Sequence, residues 1–303
     1  MAICVAISFY AINVAKDDAT QPTPEFEPAQ VTEVGSVSGD VSSAGETDPP
    51  ETDNAPETTG DVSGDIVPRS PDMALLALVL DDCGGNLAMA RRVVSLDVTL
   101  TWAILPKLRF STETADLLKE SEIPFLLHLP MQADPDPDGK AGDPMLYCIG
   151  VGMDAQSVRD AMTPVLDSLP GAWGVNNHRG SKATADIDLM RAVMDVLLER
   201  GLFFMDSRTT TKSVAYDAAL EKGLKTARNS RFLDNESDRL KIASQMEYAV
   251  GAAKKYGKYI AICHLRPETV AFLEGLSTDV IAEKGVKLVT LPQLMEEEES
   301  EGE

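Results

Sequence analysis

All three histidines of this 303-residue chain follow short apolar runs, and so does a pair of adjacent aspartates. Leu75–Leu80 leads into Asp81 and Asp82, and Ile123–Leu127 leads into His128. Trp173–Val175 leads, through two asparagines, into His178, and Tyr259–Cys263 leads into His264. A fifth run, Leu202–Met205, ends in Asp206 and Ser207. These are residue types that hold divalent ions and move protons. One carboxylate and two neutral imidazoles form an N/N/O ligand set suited to Zn2+ or another first-row divalent ion, with a position left for water. Such an ion lowers the pKa of the water and polarises an acyl oxygen. A remaining carboxylate can then take a proton and a histidine can deliver one to a leaving amine.

Taken singly, the same residues have plainer readings. The aspartate pair can cap a helix expected at 86–95, and His128 in FLLHLPMQ fits a packed core histidine. Two juxtaposed carboxylates repel, so one pKa rises unless a cation lies between them. Gly84 and Gly85 let both turn toward one ligand. His178 in VNNHRGSKAT sits on a polar turn with Asn176, Asn177 and Ser181 as partners, a setting foreign to a core. The weight comes from recurrence, because the end of an apolar run delivers every one of these groups. Serine chemistry fits worse, since Ser181 and Ser207 lack a GxSxG nucleophile setting.

The elements that must position these groups are strands alternating with helices. Apolar patterning predicts strands near 74–80, 98–104, 123–128, 173–177, 202–206, 224–227, 258–263 and 286–289. Helical periodicity predicts helices near 86–95, 111–121, 154–168, 185–200, 213–221, 236–254 and 267–275. Asp154, Thr184 and Asn235 read as N-caps, and Gly201, Gly223 and Gly285 as C-terminal stops. Near-continuous apolar strands covered by helices indicate an α/β fold with a mainly parallel sheet. The expectation is a distorted (β/α) barrel of seven or eight units, closed or incompletely closed, whose strand C-termini converge on one rim. An open doubly wound sheet is the alternative, weakened by the absence of a Gly-rich phosphate fingerprint.

The net charge of −22 belongs mostly to the ends of the chain. Residues 16–72 hold 14 acidic and 2 basic residues, and 296–303 hold 6 acidic and no basic ones, whereas 73–295 carry 29 acidic against 25 basic. This balance excludes nucleic acid as a partner, which needs a basic footprint. Residues 1–15 form an apolar segment that reads as a signal-anchor or export signal, giving a membrane partner and a periplasmic or inner-membrane-anchored location. Residues 16–72, rich in Pro, Ser, Thr and acidic residues, read as a disordered linker, and 296–303 as an acidic tail. The domain is expected at 73–295. Four cysteines form no disulfide framework. Cys83 and Cys263, which flank the candidate site, read as apolar fillers, a disulfide or extra metal ligands.

LALVLDDCG, LLHLPM, NNHRGSKAT, FFMDSRTT, FLDN and CHLRPET occur in an order and spacing that resembles the divergent polysaccharide deacetylase family across about 73–293. The resemblance implies a metal-dependent hydrolase on a distorted barrel, acting on N-acetylated glycans or related small amides of the cell envelope. It implies Asp81 as general base, Asp82, His128 and His178 as metal ligands, His264 as general acid, and Asp206 as a residue that orients its neighbours. His128 and His264 could exchange roles. The chain departs from the family pattern at Cys83, Gln132, Arg179 and the Cys263-His264-Leu265 motif. These departures keep open a non-catalytic, glycan- or partner-binding role on the same barrel, as well as an amidase for non-sugar substrates.

Overall fold

The computed structural model describes residues 73–134 and 148–300. Its spine is β1 (Ala74–Cys83), buried without a break from Leu76 to Asp81. Along one edge runs β8 (Lys258–His264), parallel and in register from Leu75 opposite Lys258 to Asp81 opposite His264. A strand has only two edges, so β2 (Thr101–Ile104) and β9 (Val286–Val289) share the other. β9 pairs with Ala74–Ala77 and β2 takes over at Val79. Beyond β2 follow β3 (Phe125–Met131), β4 (Gly174–Arg179), β5 (Phe203–Asp206) and β6 (Thr226–Arg228), while β7 (Arg231–Phe232) lies outside β8. Every pairing is parallel.

The sheet curls but its ladder is not closed, which narrows the expectation of a closed or incompletely closed barrel to an open one. The two outermost strands, β6 and β7, are consecutive in sequence and do not pair with each other. The chain changes neighbours between Asn229 and Ser230. The Asn229 N–H donates to Asp206 O on the β5 side at 2.8 Å, and the Ser230 N–H donates to Ile260 O on β8 at 3.0 Å. One short pass of chain is divided between two opposite edges, and no strand among the described residues remains to bridge them.

Strand alternation sorts the side chains into two sets. Leu76, Leu78, Leu80, Phe125, Leu127, Val175, Phe204, Ala261 and Cys263 pack with the helices in the larger core. Ala77, Val79, Leu126, Phe203, Met205, Ile260 and Ile262 form a second core on the concave face. The helices are α1 (Leu87–Val94), α2 (Ser111–Glu120), α3 (Ala155–Leu166), α4 (Ile187–Glu199), α5 (Ala215–Glu221), α6 (Arg239–Tyr256), α7 (Pro267–Glu274), α8 (Thr278–Glu283) and α9 (Leu291–Ser300). The last two and β7 lie outside the expected elements. α9 packs Leu291, Leu294 and Met295 into the concave core and runs past the boundary expected at 295.

Asp154 caps α3 as expected, accepting from the Ser157 N–H. Two other caps shift. Thr184 lies in a 3-10 turn with its hydroxyl donating to Gly180 O, so Asp186 caps α4 instead. Asp238, three residues beyond Asn235, caps α6 through the N–H groups of Leu240 and Lys241. Gly201, Gly223 and Gly285 follow their helices with positive φ, as a C-terminal stop requires. Among the described residues no helix is long and apolar enough to cross a membrane. The apolar segment 1–15 and the linker 16–72 lie outside the described residues.

Candidate metal centre

Asp81, His128, Asn176, His178 and His264 share the strand parity of the concave core, so alternation alone aims them at one side of the curl. Asp82 has the wrong parity and is redirected. Between Leu80 and Cys83 the pairing with β2 slips by one residue, since Leu80 faces Trp102 while Cys83 faces Ile104. Asp82 sits in this bulge with φ 61°. A bulge of this kind re-aims a side chain. The aspartates do not cap α1, because Asn86 does so, accepting from the Met89 N–H.

Three ligand atoms converge. Asp82 Oδ1 lies 3.1 Å from His178 Nδ1 and 3.4 Å from His128 Nε2, and the two imidazole nitrogens are 3.1 Å apart. Tetrahedral ligands 2.0–2.1 Å from a zinc ion are separated by roughly 3.3 Å. Asp82 Oδ1 is also a buried acceptor without a hydrogen-bond partner. A carboxylate oxygen without a hydrogen-bond partner, set between two imidazole nitrogens, is a donor set suited to a divalent ion, and the three residues could hold one. Burial works to raise the Asp82 pKa, but the imidazoles beside it prevail and hold it well below the carboxylate range.

A second layer fixes these ligands. Asn176, fully buried on β4, donates from Nδ2 to Asp81 Oδ1 at 2.9 Å, which sets the amide's orientation. Its Oδ1 then accepts from His128 Nδ1 at 2.8 Å. His128 therefore carries a proton on Nδ1, and Nε2 is the ring atom that faces the triangle. Asp81 Oδ2 lies 3.6 Å from that Nε2. Burial pushes the Asp81 carboxyl above its ordinary value, against the pull of His128, His264 and Asn176. Burial lowers the His178 pKa, and the charges of His128 and Arg179 add to that effect against Asp82.

Across β1 stands His264, paired in register with Asp81. Its Nδ1 donates to Asp234 Oδ1 at 2.8 Å, and its backbone N–H donates to Asp234 Oδ2 at 2.8 Å. Thr269 Oγ1 also donates to Oδ2, at 2.7 Å. Phe232 stacks on the ring with centroids 5.9 Å apart. His264 thus keeps Nε2 free for exchange. The alternative left open by the sequence takes a definite geometric form, with His128 inside the triangle and His264 outside it.

Asp234 is the candidate site residue that sequence reasoning missed. Its signal was the FLDN motif, which delivers a carboxylate just after a short apolar pair. Asp206 keeps to its own loop. It accepts from the Arg208 N–H at 2.8 Å and from Ser213 Oγ at 2.7 Å, so the neighbours it orients are there, and Asp234 orients His264. The reason is parity, for Asp206 shares the side of Phe204, which packs toward the helices. Cys83 and Cys263 are buried free thiols in the helix-side core, which overturns both the disulfide and the ligand readings.

Residues 78–295 match the divergent polysaccharide deacetylase family. An uncharacterized protein of Haemophilus influenzae is 36% identical over 200 residues, spanning 66% of this chain and 70% of that protein. YibQ of Escherichia coli, also uncharacterized, is 30% identical over 224 residues, spanning 72% of this chain and 68% of its own length. The crystal structure of the uncharacterized protein ATU2773 from Agrobacterium tumefaciens C58 superposes with a TM-score of 0.68 at 17% identity, covering 74% of this chain and 89% of that one. That likeness speaks for the fold alone. By the match across 78–295, the chain belongs to the divergent polysaccharide deacetylase family.

Proposed function

We propose that this chain is a metal-dependent hydrolase that removes acetyl groups from N-acetylated carbohydrate, with Asp82, His128 and His178 holding the ion, Zn2+ by its N/N/O donor set. The observation that carries the reading is the orphaned Asp82 Oδ1 in a triangle of 3.1, 3.1 and 3.4 Å with two imidazole nitrogens. When bound, the ion supplies a Lewis acid that acidifies water and polarises an acyl oxygen. Asp81 is the general base, because its Oδ2 lies beside the triangle and Asn176 occupies only its Oδ1. His264 is the general acid and delivers its proton from Nε2 to the leaving nitrogen. Asp234 positions that imidazole through Nδ1, as an orienting carboxylate does in hydrolytic triads. A cell-envelope location, with residues 1–15 as membrane anchor or export signal, belongs to the same proposal and rests on sequence.

The test is elemental analysis of the purified full chain, followed by acetate release from N-acetylglucosamine oligomers. About one divalent ion per chain is expected, and His178→Ala should lose it with little change in melting temperature. A normally folded chain that takes up no divalent ion sinks the proposal. Loss of folding in His178→Ala would make His178 a packing residue.

A further inference from the structure

Two arginines at the ends of neighbouring strands adopt a backbone conformation that arginine rarely takes. Arg179, next after His178, has φ 56°, and Arg208, two residues after Asp206, has φ 52°. The left-handed region costs a residue with a Cβ about 1–2 kcal/mol, and it persists only where the surroundings enforce it. The enforcing groups are specific. Asn177, fully buried, donates from Nδ2 to Arg179 O at 2.7 Å and accepts from the Ser207 N–H at 2.8 Å. Thr209 Oγ1 donates to the same Arg179 oxygen at 2.8 Å, and the Arg208 N–H donates to Asp206 Oδ1. The next residue, Gly180, leaves no room for a Cβ, which would meet Met131 Cβ at 3.0 Å. The loops after β4 and β5 are therefore laced together, and the lacing presents both arginines from neighbouring strand ends.

Asparagine or glycine would satisfy this backbone at lower cost; Lys107 and Glu122 share the conformation elsewhere, so it is the place of the two arginines, one directly after His178 and one just beyond the adjoining strand, that points to their side chains. Several other arginines hold carboxylates, as in Arg92–Glu274, Arg191–Glu221 and Arg200–Asp167. Among the described residues, Arg179 and Arg208 have no carboxylate partner in an ion pair, and Asp206 and Asp234, the nearby buried acids, are committed to other donors. Arg179 directly follows His178 in the chain. A third guanidinium, Arg266, reaches within 3.9 Å of Asp82 Oδ2 from the opposite side.

We infer that the substrate of this site carries an oxyanion, a carboxylate or a phosphate, beside its acyl amide, and that Arg179 and Arg208 bind it. The acyl amide rests on the hydrolase reading above, whereas the oxyanion rests on the arginines. Guanidinium forks suit planar, bidentate recognition of such groups.

The experiment uses the metal-loaded full chain and three probes in titration calorimetry: N-acetylmuramic acid, N-acetylglucosamine 6-phosphate and neutral N-acetylglucosamine. At least one anionic probe should bind about tenfold or more tightly than the neutral sugar, the value of one charge-assisted hydrogen bond. Which anion is preferred separates the carboxylate source from the phosphate source. The preference should weaken with added salt and vanish in Arg179→Asn/Arg208→Asn, whose new residues tolerate the left-handed backbone. Lysine at both positions should restore part of it. Equal binding of all three probes, no binding of any, or a preference that survives the double variant in a folded protein overturns the inference. Acetate release is scored separately, so a preference without hydrolysis fails the hydrolase reading alone, and hydrolysis without preference fails the oxyanion alone.

Discussion

Asp81 and Asp82 are consecutive residues of one strand, yet both face the same site. The bulge between Leu80 and Cys83 and the left-handed φ of 61° at Asp82 cancel the alternation that would send them to opposite faces. The arrangement stores strain at the candidate metal centre, and it leaves Asp82 Oδ1 without a hydrogen-bond partner.

Asp82→Gly should therefore trade binding for stability. Glycine takes φ 61° freely and removes the orphaned oxygen. Without metal, the melting temperature of the variant should exceed that of the parent by about 2–4 °C for each kcal/mol relieved. Stoichiometric metal binding should disappear. A variant that melts lower than the metal-free parent would show that Asp82 contributes packing, not strain.

Asn176→Ala removes the bridge between His128 and Asp81. Both buried partners then lack a hydrogen bond, at a cost of about 1–3 kcal/mol each, and metal affinity should fall about 10–100-fold. Long-range proton–nitrogen spectra of the metal-free protein give an independent readout. The His128 proton should be on Nδ1 in the parent and distributed over both nitrogens in the variant. An unchanged tautomer would remove Asn176 from this role.

Asp234→Asn separates acid chemistry from metal binding. The amide cannot accept at both positions, so His264 Nδ1 or its backbone N–H loses a partner. Acetate release should fall by about 10²–10⁴-fold, the range of a general acid's contribution. Metal content should stay at the parent's level. Equal loss of metal and rate would recast Asp234 as scaffold for the whole centre.

Asp206 supplies a pH test away from the metal ligands. Burial raises its pKa above 3.8, in spite of hydrogen bonds from Ser213 and the Arg208 N–H. Such a carboxyl holds its proton in the folded chain where the unfolded chain has already lost it, so stability falls as pH rises from 3.8 through the raised value. Asp206→Asn keeps the shape without ionising. Its melting temperature relative to the parent should increase between about pH 4 and pH 7. A constant difference over that interval would mean that ionisation of Asp206 costs the fold nothing.

The place of each residue in the structure follows from where it stands in its run. Asp206, like His128, ends an apolar run, but its alternation matches Phe204 and points toward the helices. Cys263 fails as a ligand for the same reason, one position out of phase with His264. Asp234 left no periodic signal because β7 has two residues, too few for any period to show. The bulge at Asp82 has no composition of its own, since its φ is imposed by pairing with β2.

What the sequence alone determined is local: apolar runs that must be buried, helices that cover them, and histidines and aspartates at the strand ends. Burial preference is written residue by residue, so these features survive without a structure. Only the tertiary structure decided that Asp82, His128 and His178 form one triangle, that His264 stands outside it beside Asp234, and that the sheet curls without closing its ladder. Those outcomes depend on register between strands far apart in the chain and on one inserted residue, and no local pattern encodes either.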